Sequence, residues 1–145
     1  MSEHIKQNLL IHGTVLFLMG LLNGVIIGAF TNPRMGLSAH LAGVQNGIVL
    51  WAFGLFWMRF NLSRHIEALT YWTALYGMYG IWLGLLLAAV WGTSRSTPIA
   101  GAGYHASPWQ EGTVSFLILT GSLAIIVATV FALVGLLRHK KDQLH

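Results

Sequence analysis

Four long apolar runs, separated by short polar segments, dominate the chain. They cover residues 9–30, 36–57, 67–91 and 112–137. A helix needs about 20 apolar residues to cross a bilayer, and backbone groups in lipid must hydrogen-bond within their own segment. The pattern therefore predicts an all-α fold, an integral membrane four-helix bundle. We assign residues 1–145 to one transmembrane domain.

The connections between the runs carry turn-forming and loop-forming residues. Asn32 and Pro33 follow the first run, and we expect Pro33 to stop the first helix. Residues 59–64 form a short basic link, and residues 92–111 form a longer segment rich in Gly, Ser and Pro. The longer segment is either a solvated loop or a flap over a site.

The composition agrees with surfaces that face lipid. Hydrophobic residues make up 55% of the chain and charged residues only 8%, against about 25% charged in soluble domains. The chain has no cysteine, which excludes disulfides, thiolate metal sites and cysteine nucleophiles. The formal charge is +4, but the basic residues flank the apolar runs. The charge therefore indicates topology and not nucleic-acid binding.

The basic residues also predict the orientation. Four crossings place both termini on one side of the bilayer. That side carries Lys6, Arg59, Arg64, Arg138, Lys140 and Lys141, and the other side carries Arg34 and Arg95. Lysine and arginine are enriched in cytoplasmic loops. We therefore expect a multi-pass protein of the inner (cytoplasmic) membrane with both termini in the cytoplasm.

Polar side chains inside the apolar runs are costly in lipid and usually face the bundle interior or a site. In the first run, His12 and Asn23 share one stripe of a helix that turns 100° per residue. The fourth run carries a second polar stripe, made of Glu111, Ser115, Ser122 and Thr129. We expect the second stripe to face inward or an interface, most simply, for its serines and threonine, to form hydrogen bonds between helices. Glu111 is at the start of the run, where a carboxylate also complements the helix dipole.

Aromatic residues mark the third run. Trp72, Tyr76 and Tyr79 lie on one helical face, and Trp82 flanks it. Trp72 suits an interfacial aromatic belt, whereas Tyr76 and Tyr79 lie too deep for one. A buried phenol needs a hydrogen-bond partner, so these two tyrosines are candidates for contact with a ligand.

One face of the second run carries His40, Gly43 and Gly47. One interpretation is a small-residue helix contact beside a hydrogen-bonded histidine. The other is a metal or haem site, in which His40 ligates iron and the glycines leave a flat recess for the macrocycle. A single helical histidine is more often structural, so the spacing by itself favours the first interpretation. Asn46 lies about 120° from His40 and suits a side pocket or a neighbouring subunit.

Longer motifs extend these observations. His12-Gly13 opens the first run, NPRMGLSAH (residues 32–40) leads into the second, and YGMYGIW (residues 76–82) continues the third. PIAG (residues 98–101), Gln110-Glu111 and Gly135-Leu136 complete the set. These motifs are spread along nearly the whole chain. In them the sequence resembles the small membrane family that contains hydroxylaminobenzene mutase and styrene oxide isomerase. It resembles the mutase branch more than the isomerase branch.

The resemblance implies an assembly and a cofactor. It implies a four-helix membrane protein assembled as a homo-oligomer, a trimer, with haem b between subunits. His40 matches the histidine that ligates the haem iron in the isomerase branch, and Asn46 matches the asparagine that lines its substrate pocket. On this basis His40 is the expected metal ligand, and we place Gly43, Gly47 and Trp82 in the cofactor site.

The resemblance also implies an isomerase that acts on a small aromatic substrate. The expected reaction converts an arylhydroxylamine to an ortho-aminophenol, with ferric haem b as the Lewis acid. We expect Tyr76 or Tyr79 to donate a hydrogen bond to the departing oxygen and Asn46 to orient the substrate.

The sequence leaves three alternatives to this function open. The third run lacks the aspartate that the isomerase branch carries there, so an epoxide isomerase that forms an aldehyde is the second choice. If such an acid is needed, only Glu67 or Glu111 could supply it. A non-enzymatic haem- or quinone-binding membrane subunit is another alternative. A small transporter is the last, although the helices lack the mid-membrane charge that proton-coupled transport usually needs.

Overall fold

The computed structural model describes residues 2–142 and contains four long helices. They are Ser2–Val25 (α1), Pro33–Phe56 (α2), Arg64–Trp91 (α3) and Pro108–Asp142 (α4), with short 3-10 turns at Ile27–Ala29 and Trp57–Arg59. Each of the four is long and apolar enough to cross a membrane. The prediction of an all-α protein with four membrane-spanning helices is confirmed.

All four helices begin before the apolar runs do, because their first turns are polar. The largest difference is in α1, which starts at Ser2 and carries an ion pair between Lys6 and Glu3 at 3.5 Å near its beginning. Ion pairs three residues apart stabilise a helix turn without any apolar residue. A search for apolar runs cannot detect such a turn.

The turn before α2 differs from the prediction. Helix α1 ends at Val25, and Pro33 does not stop it but is the first residue of α2. Proline suits that position because the first N–H groups of a helix have no partner in the helix. Asn32 caps the helix, since its side-chain oxygen accepts from the backbone nitrogens of Arg34 and Met35 at 3.0 and 3.3 Å.

Helices α2 and α3 form the central pair, with α1 packed along α2 and α4 packed along α3. Side chains from all four helices, such as Leu16, Leu50, Met78 and Ala128, build the larger of two hydrophobic clusters in the described part of the chain. Helix α1 meets α3 along only a short stretch. A groove is therefore left open between these two helices.

The contact between α1 and α2 is made by glycines. A Cβ added at Gly43 would lie 2.6 Å from the Cα of Gly20, and one at Gly47 would lie 2.7 Å from the backbone oxygen of Gly13. Within a membrane, helices associate through close packing, and small residues let their backbones approach. The two helices thus form one tightly packed unit.

Residues 92–107 join α3 to α4 and are fixed to the helix ends by buried polar groups. The fully buried Asn32 donates from Nδ2 to the backbone oxygen of Ala100 at 2.9 Å. The carboxylate of Glu111 accepts from the backbone nitrogens of Ser94 and Arg95, each at 2.9 Å. These bonds hold the segment in place, so it is not a freely solvated loop.

Candidate functional site

His40 lies at the contact between α1 and α2, in the second turn of α2. Its ring fills the space that a side chain on Gly24 would occupy, since a Cβ there would lie 2.6 Å from Nδ1. Nδ1 lies 2.8 Å from the backbone oxygen of Gly20. Because a carbonyl oxygen only accepts, Nδ1 carries the proton, and a neutral ring then keeps a lone pair on Nε2.

This arrangement around His40 fits a haem ligand in two respects. Histidines that ligate metals commonly donate their other ring N–H to a backbone carbonyl, which fixes the tautomer and the ring orientation. Two donors nearby, Asn23 Nδ2 and Trp82 Nε1, are over nine-tenths buried and have no hydrogen-bond partner among residues 2–142. Such donors suit the acceptor atoms of a bound molecule. Trp82 lies against Gly43, with Cδ1 3.0 Å from the position of an added Cβ.

The structure shows no open recess at Gly43 and Gly47. Helix α1 covers both glycines within the protomer, at the separations described above. No planar macrocycle fits between the two backbones. Gly43 and Gly47 therefore make the small-residue helix contact that was the other interpretation, and a cofactor on His40 has to approach from outside that contact.

Asn46 joins α2 to α3 and does not reach toward His40. Its Nδ2 donates to the backbone oxygen of Met78 at 2.9 Å. Asn46 lies six positions after His40, which is about 9 Å along a helix. Because Nδ2 is engaged, any contact of Asn46 with a substrate would have to use Oδ1.

The two candidate tyrosines line a separate cavity, the groove between α1 and α3. This α1–α3 groove has a volume of about 490 Å³ and is lined by His12, Trp72, Leu75, Tyr76 and Tyr79. In it the Tyr79 hydroxyl donates to the backbone oxygen of His12 at 3.2 Å and lies 3.3 Å from Nδ1 of the same residue. The two rings meet edge to face, with centroids 5.8 Å apart. Four of the five lining side chains are aromatic rings or imidazole, which suits a planar ligand.

The hydroxyls of Tyr76 and Tyr79 are used differently. Tyr76 bonds to Thr120 Oγ1 on α4 at 2.6 Å. Thr120 itself donates to the backbone oxygen of Phe116 at 2.7 Å, so Tyr76 is the donor in the bond between them. The phenol proton of Tyr76 therefore points at α4, while the hydroxyl of Tyr79 lies beside the imidazole of His12.

His40 and the α1–α3 groove are apart in one protomer. His12 and Gly20, which contact Tyr79 and His40 respectively, are eight residues apart on α1, or about 12 Å at 1.5 Å per residue. The prediction placed His40, Tyr76 and Tyr79 around one site, and a single protomer does not bring them together. His12 stood out in the sequence as part of a polar stripe and a motif, but the pattern indicated no role for it.

The two carboxylates considered as a catalytic acid have structural bonds instead. Glu67 accepts from Trp57 Nε1 at 2.9 Å. Glu111 holds two backbone N–H groups of the segment that joins α3 to α4. Neither is among the residues that line the groove.

Comparison with known proteins decides the family. Residues 5–137 match the family model described as styrene oxide isomerase. The chain belongs to the styrene oxide isomerase family. It is 41% identical over 133 residues to hydroxylaminobenzene mutase HabB of Ectopseudomonas oleovorans, covering 91% of this chain and 81% of that protein. It is 39% identical over 127 residues to hydroxylaminobenzene mutase HabA of the same organism, covering 87% and 94%. No solved structure matches the chain.

These comparisons confirm the resemblance inferred from the motifs and the prediction of an isomerase. The protein is a multi-pass membrane enzyme of the styrene oxide isomerase family. This family membership argues against two of the alternatives left open by the sequence, a small transporter and a non-enzymatic membrane subunit.

Proposed function

We propose that the protein is a membrane-bound mutase that rearranges an arylhydroxylamine to an ortho-aminophenol. The observation that carries this proposal is the identity of about 40% to two hydroxylaminobenzene mutases along nearly the whole chain. The α1–α3 groove supports it, because a small pocket with aromatic walls and one polar pair suits a planar ring that bears a polar group.

The reaction moves one hydroxyl group and one proton within the same molecule. The nitrogen–oxygen bond breaks, a carbon–oxygen bond forms at the ortho carbon, the ring loses a proton there, and the nitrogen gains one. No external oxidant or reductant is needed. Trp72 and Leu75 would hold the ring and exclude water that could trap a cationic ring. Tyr79 would hold the imidazole of His12 in place in the groove, because its one phenol proton is donated to the His12 backbone oxygen.

We propose haem b as the cofactor, with His40 as its iron ligand. The bond from Nδ1 to Gly20 supports this role because it leaves the Nε2 lone pair available. When bound, ferric haem would supply a Lewis acid for a lone pair of the substrate. Trp82 and Asn23 offer buried donors for acceptor atoms beside it.

We also propose a homo-oligomer, a trimer by resemblance, in the inner membrane with both termini in the cytoplasm. An oligomer is supported by the separation of about 12 Å along α1 between His12, which contacts Tyr79, and Gly20, which contacts His40. A site that uses both groups needs the groove of one protomer and the histidine of another. Asn46 would then contact the substrate through Oδ1.

Purification in detergent with an absorption spectrum and an arylhydroxylamine assay tests the function and the cofactor together. We expect a Soret band and formation of the ortho-aminophenol, and we expect His40→Ala to lose both. His65→Ala is the matched control, since His65 is an exposed histidine at the start of α3, and it should keep both. Turnover by His40→Ala would exclude the haem assignment, and an inactive wild-type protein would exclude the mutase.

An epoxide isomerase is the second candidate, favoured by the name of the matching family model. The same preparation given an aryl epoxide would then release an aldehyde. Comparing kcat/KM for the two substrates separates the candidates, and we expect the arylhydroxylamine to be preferred.

A further inference from the structure

We infer that His12 is a catalytic residue that carries the proton between the ring carbon and the nitrogen of the substrate. This inference rests on the proposed mutase reaction. The observation behind it is the contact of His12 with Tyr79 inside the α1–α3 groove, at 3.3 Å from Nδ1 to the hydroxyl oxygen. Neither the family match nor the names of the relatives assigns a role to this histidine.

The reaction requires a group that accepts a proton and then donates it. Among the described residues, the titratable side chains lining the groove are His12, Tyr76 and Tyr79. The proton of Tyr76 is engaged by Thr120 on α4. Of the side chains that remain, imidazole is the one that commonly serves as both general base and general acid, because one ring nitrogen can accept a proton while the other carries one.

The hydrogen bonds of Tyr79 define which nitrogen of His12 is available. A phenol has one proton, and here it is donated to the backbone oxygen of His12. The Nδ1 contact is then a bond in which the imidazole donates to the Tyr79 oxygen. Neutral His12 with its proton on Nδ1 has an unprotonated Nε2, and Nε2 is the base.

The proton transfer conserves atoms and electrons. After the hydroxyl has moved to the ortho carbon, Nε2 of His12 takes the proton from that carbon, and the electron pair of the broken C–H bond restores the aromatic ring. The imidazolium keeps its Nδ1–H bond to Tyr79, which stabilises the positive charge. Nε2 then returns the proton to the substrate nitrogen, and His12 is regenerated. Tyr79 acts here as a positioning residue for His12.

An aromatic contact between two helices would produce the same geometry without catalysis, so the test needs a readout that packing does not change. His12→Gln keeps a side chain that can hydrogen-bond to Tyr79 but cannot accept a proton. The substrate is an arylhydroxylamine with deuterium at both ortho positions, compared with the unlabelled compound. His65→Gln serves as the control.

We expect kcat of His12→Gln to fall by about 10²- to 10⁴-fold, the usual contribution of general acid–base catalysis, with KM changed little. A primary isotope effect on kcat should appear in this variant and be absent in the wild-type protein, because ring-proton removal becomes rate-limiting only when its base is missing. The Soret band should stay as in the wild type.

The role of His12 would be overturned if the wild type is active and His12→Gln shows a normal kcat and no isotope effect. The mutase assignment would then still hold. An inactive wild-type protein would overturn both. If His12→Gln fails to fold, Tyr79→Phe carries the test. Loss of one hydrogen bond to the imidazolium predicts a kcat about 10-fold lower and a smaller isotope effect, and a Tyr79→Phe variant with normal kcat and no isotope effect would contradict the inference.

Discussion

Helix α1 has two unlike interfaces, and two adjacent residues represent them. A Cβ on Gly13 would lie 2.6 Å from Trp51 on α2, so that face of α1 has no free space. His12, one residue earlier, faces the α1–α3 groove of about 490 Å³ and pairs with Tyr79. The closed interface fixes α1, and the open one provides the cavity in which a substrate can bind.

One helix thus contacts His40 and carries His12, the two histidines to which we assign a function. The closed interface supplies the Gly20 carbonyl that orients His40, and the open interface supplies His12. Since α1 is packed rigidly on α2, both groups are held in fixed positions about 12 Å apart along the helix. Changes to the closed interface should therefore affect the whole enzyme, whereas changes to the groove should affect substrate and catalysis alone.

The largest effect is expected from closing the space between α1 and α2. Gly43→Ala places a methyl group 2.6 Å from the backbone of Gly20, and backbone cannot move aside as a flexible side chain can. We expect a destabilisation of about 1–3 kcal/mol or more, seen as a lower thermal midpoint in detergent and as loss of the Soret band. Gly112→Ala is the control, because nothing lies within 4 Å of an added Cβ there. An unchanged midpoint for Gly43→Ala would contradict the closed interface.

A smaller effect, on substrate binding and not on stability, is expected from opening the groove further. Trp72→Ala removes one aromatic wall, so we expect KM for the arylhydroxylamine to rise by about 10-fold, with kcat nearly unchanged, because ring contacts contribute mainly to binding. Trp72 is 65% exposed, so stability should change little. Trp109→Ala is the matched control, since Trp109 is 62% exposed and lies outside the groove. Equal KM values for the two variants would show that the substrate binds elsewhere.

The smallest effect is expected at Thr120, whose Oγ1 accepts a hydrogen bond from the Tyr76 hydroxyl. Hydrogen bonds between membrane helices contribute about 0.6 kcal/mol on average. Thr120→Val should therefore lower the thermal midpoint only slightly and change kcat by less than about twofold. Thr113→Val is its control, since the Thr113 hydroxyl donates within its own helix, to the Trp109 carbonyl. A large loss of kcat in Thr120→Val would mean that the Tyr76 hydroxyl takes part in the reaction.

The sequence predicted the four crossings because apolar segments of this length are typical of membrane spans and rare in soluble domains. It did not predict the helix starts, where Pro33 and the pair Glu3–Lys6 replace apolar residues. The pattern of His40, Gly43 and Gly47 was ambiguous for a physical reason. Glycines on one face suit both a ligand and a neighbouring helix, and the sequence does not show which one covers them.

The contact between His12 and Tyr79 could not be predicted from the sequence, for a different reason. The two residues are 67 positions apart, and their contact depends on which helices are neighbours. Helical periodicity shows which residues share a face but not which face meets which. Tyr76 and Tyr79 were equal candidates until the structure placed one hydroxyl against α4 and the other against an imidazole.

The most direct test of the mutase assignment is the fate of oxygen when the purified wild-type protein acts on an arylhydroxylamine in ¹⁸O-labelled water. An internal rearrangement predicts an ortho-aminophenol whose hydroxyl carries the unlabelled oxygen of the substrate. Absence of turnover, or a product that contains oxygen from the solvent, would contradict it.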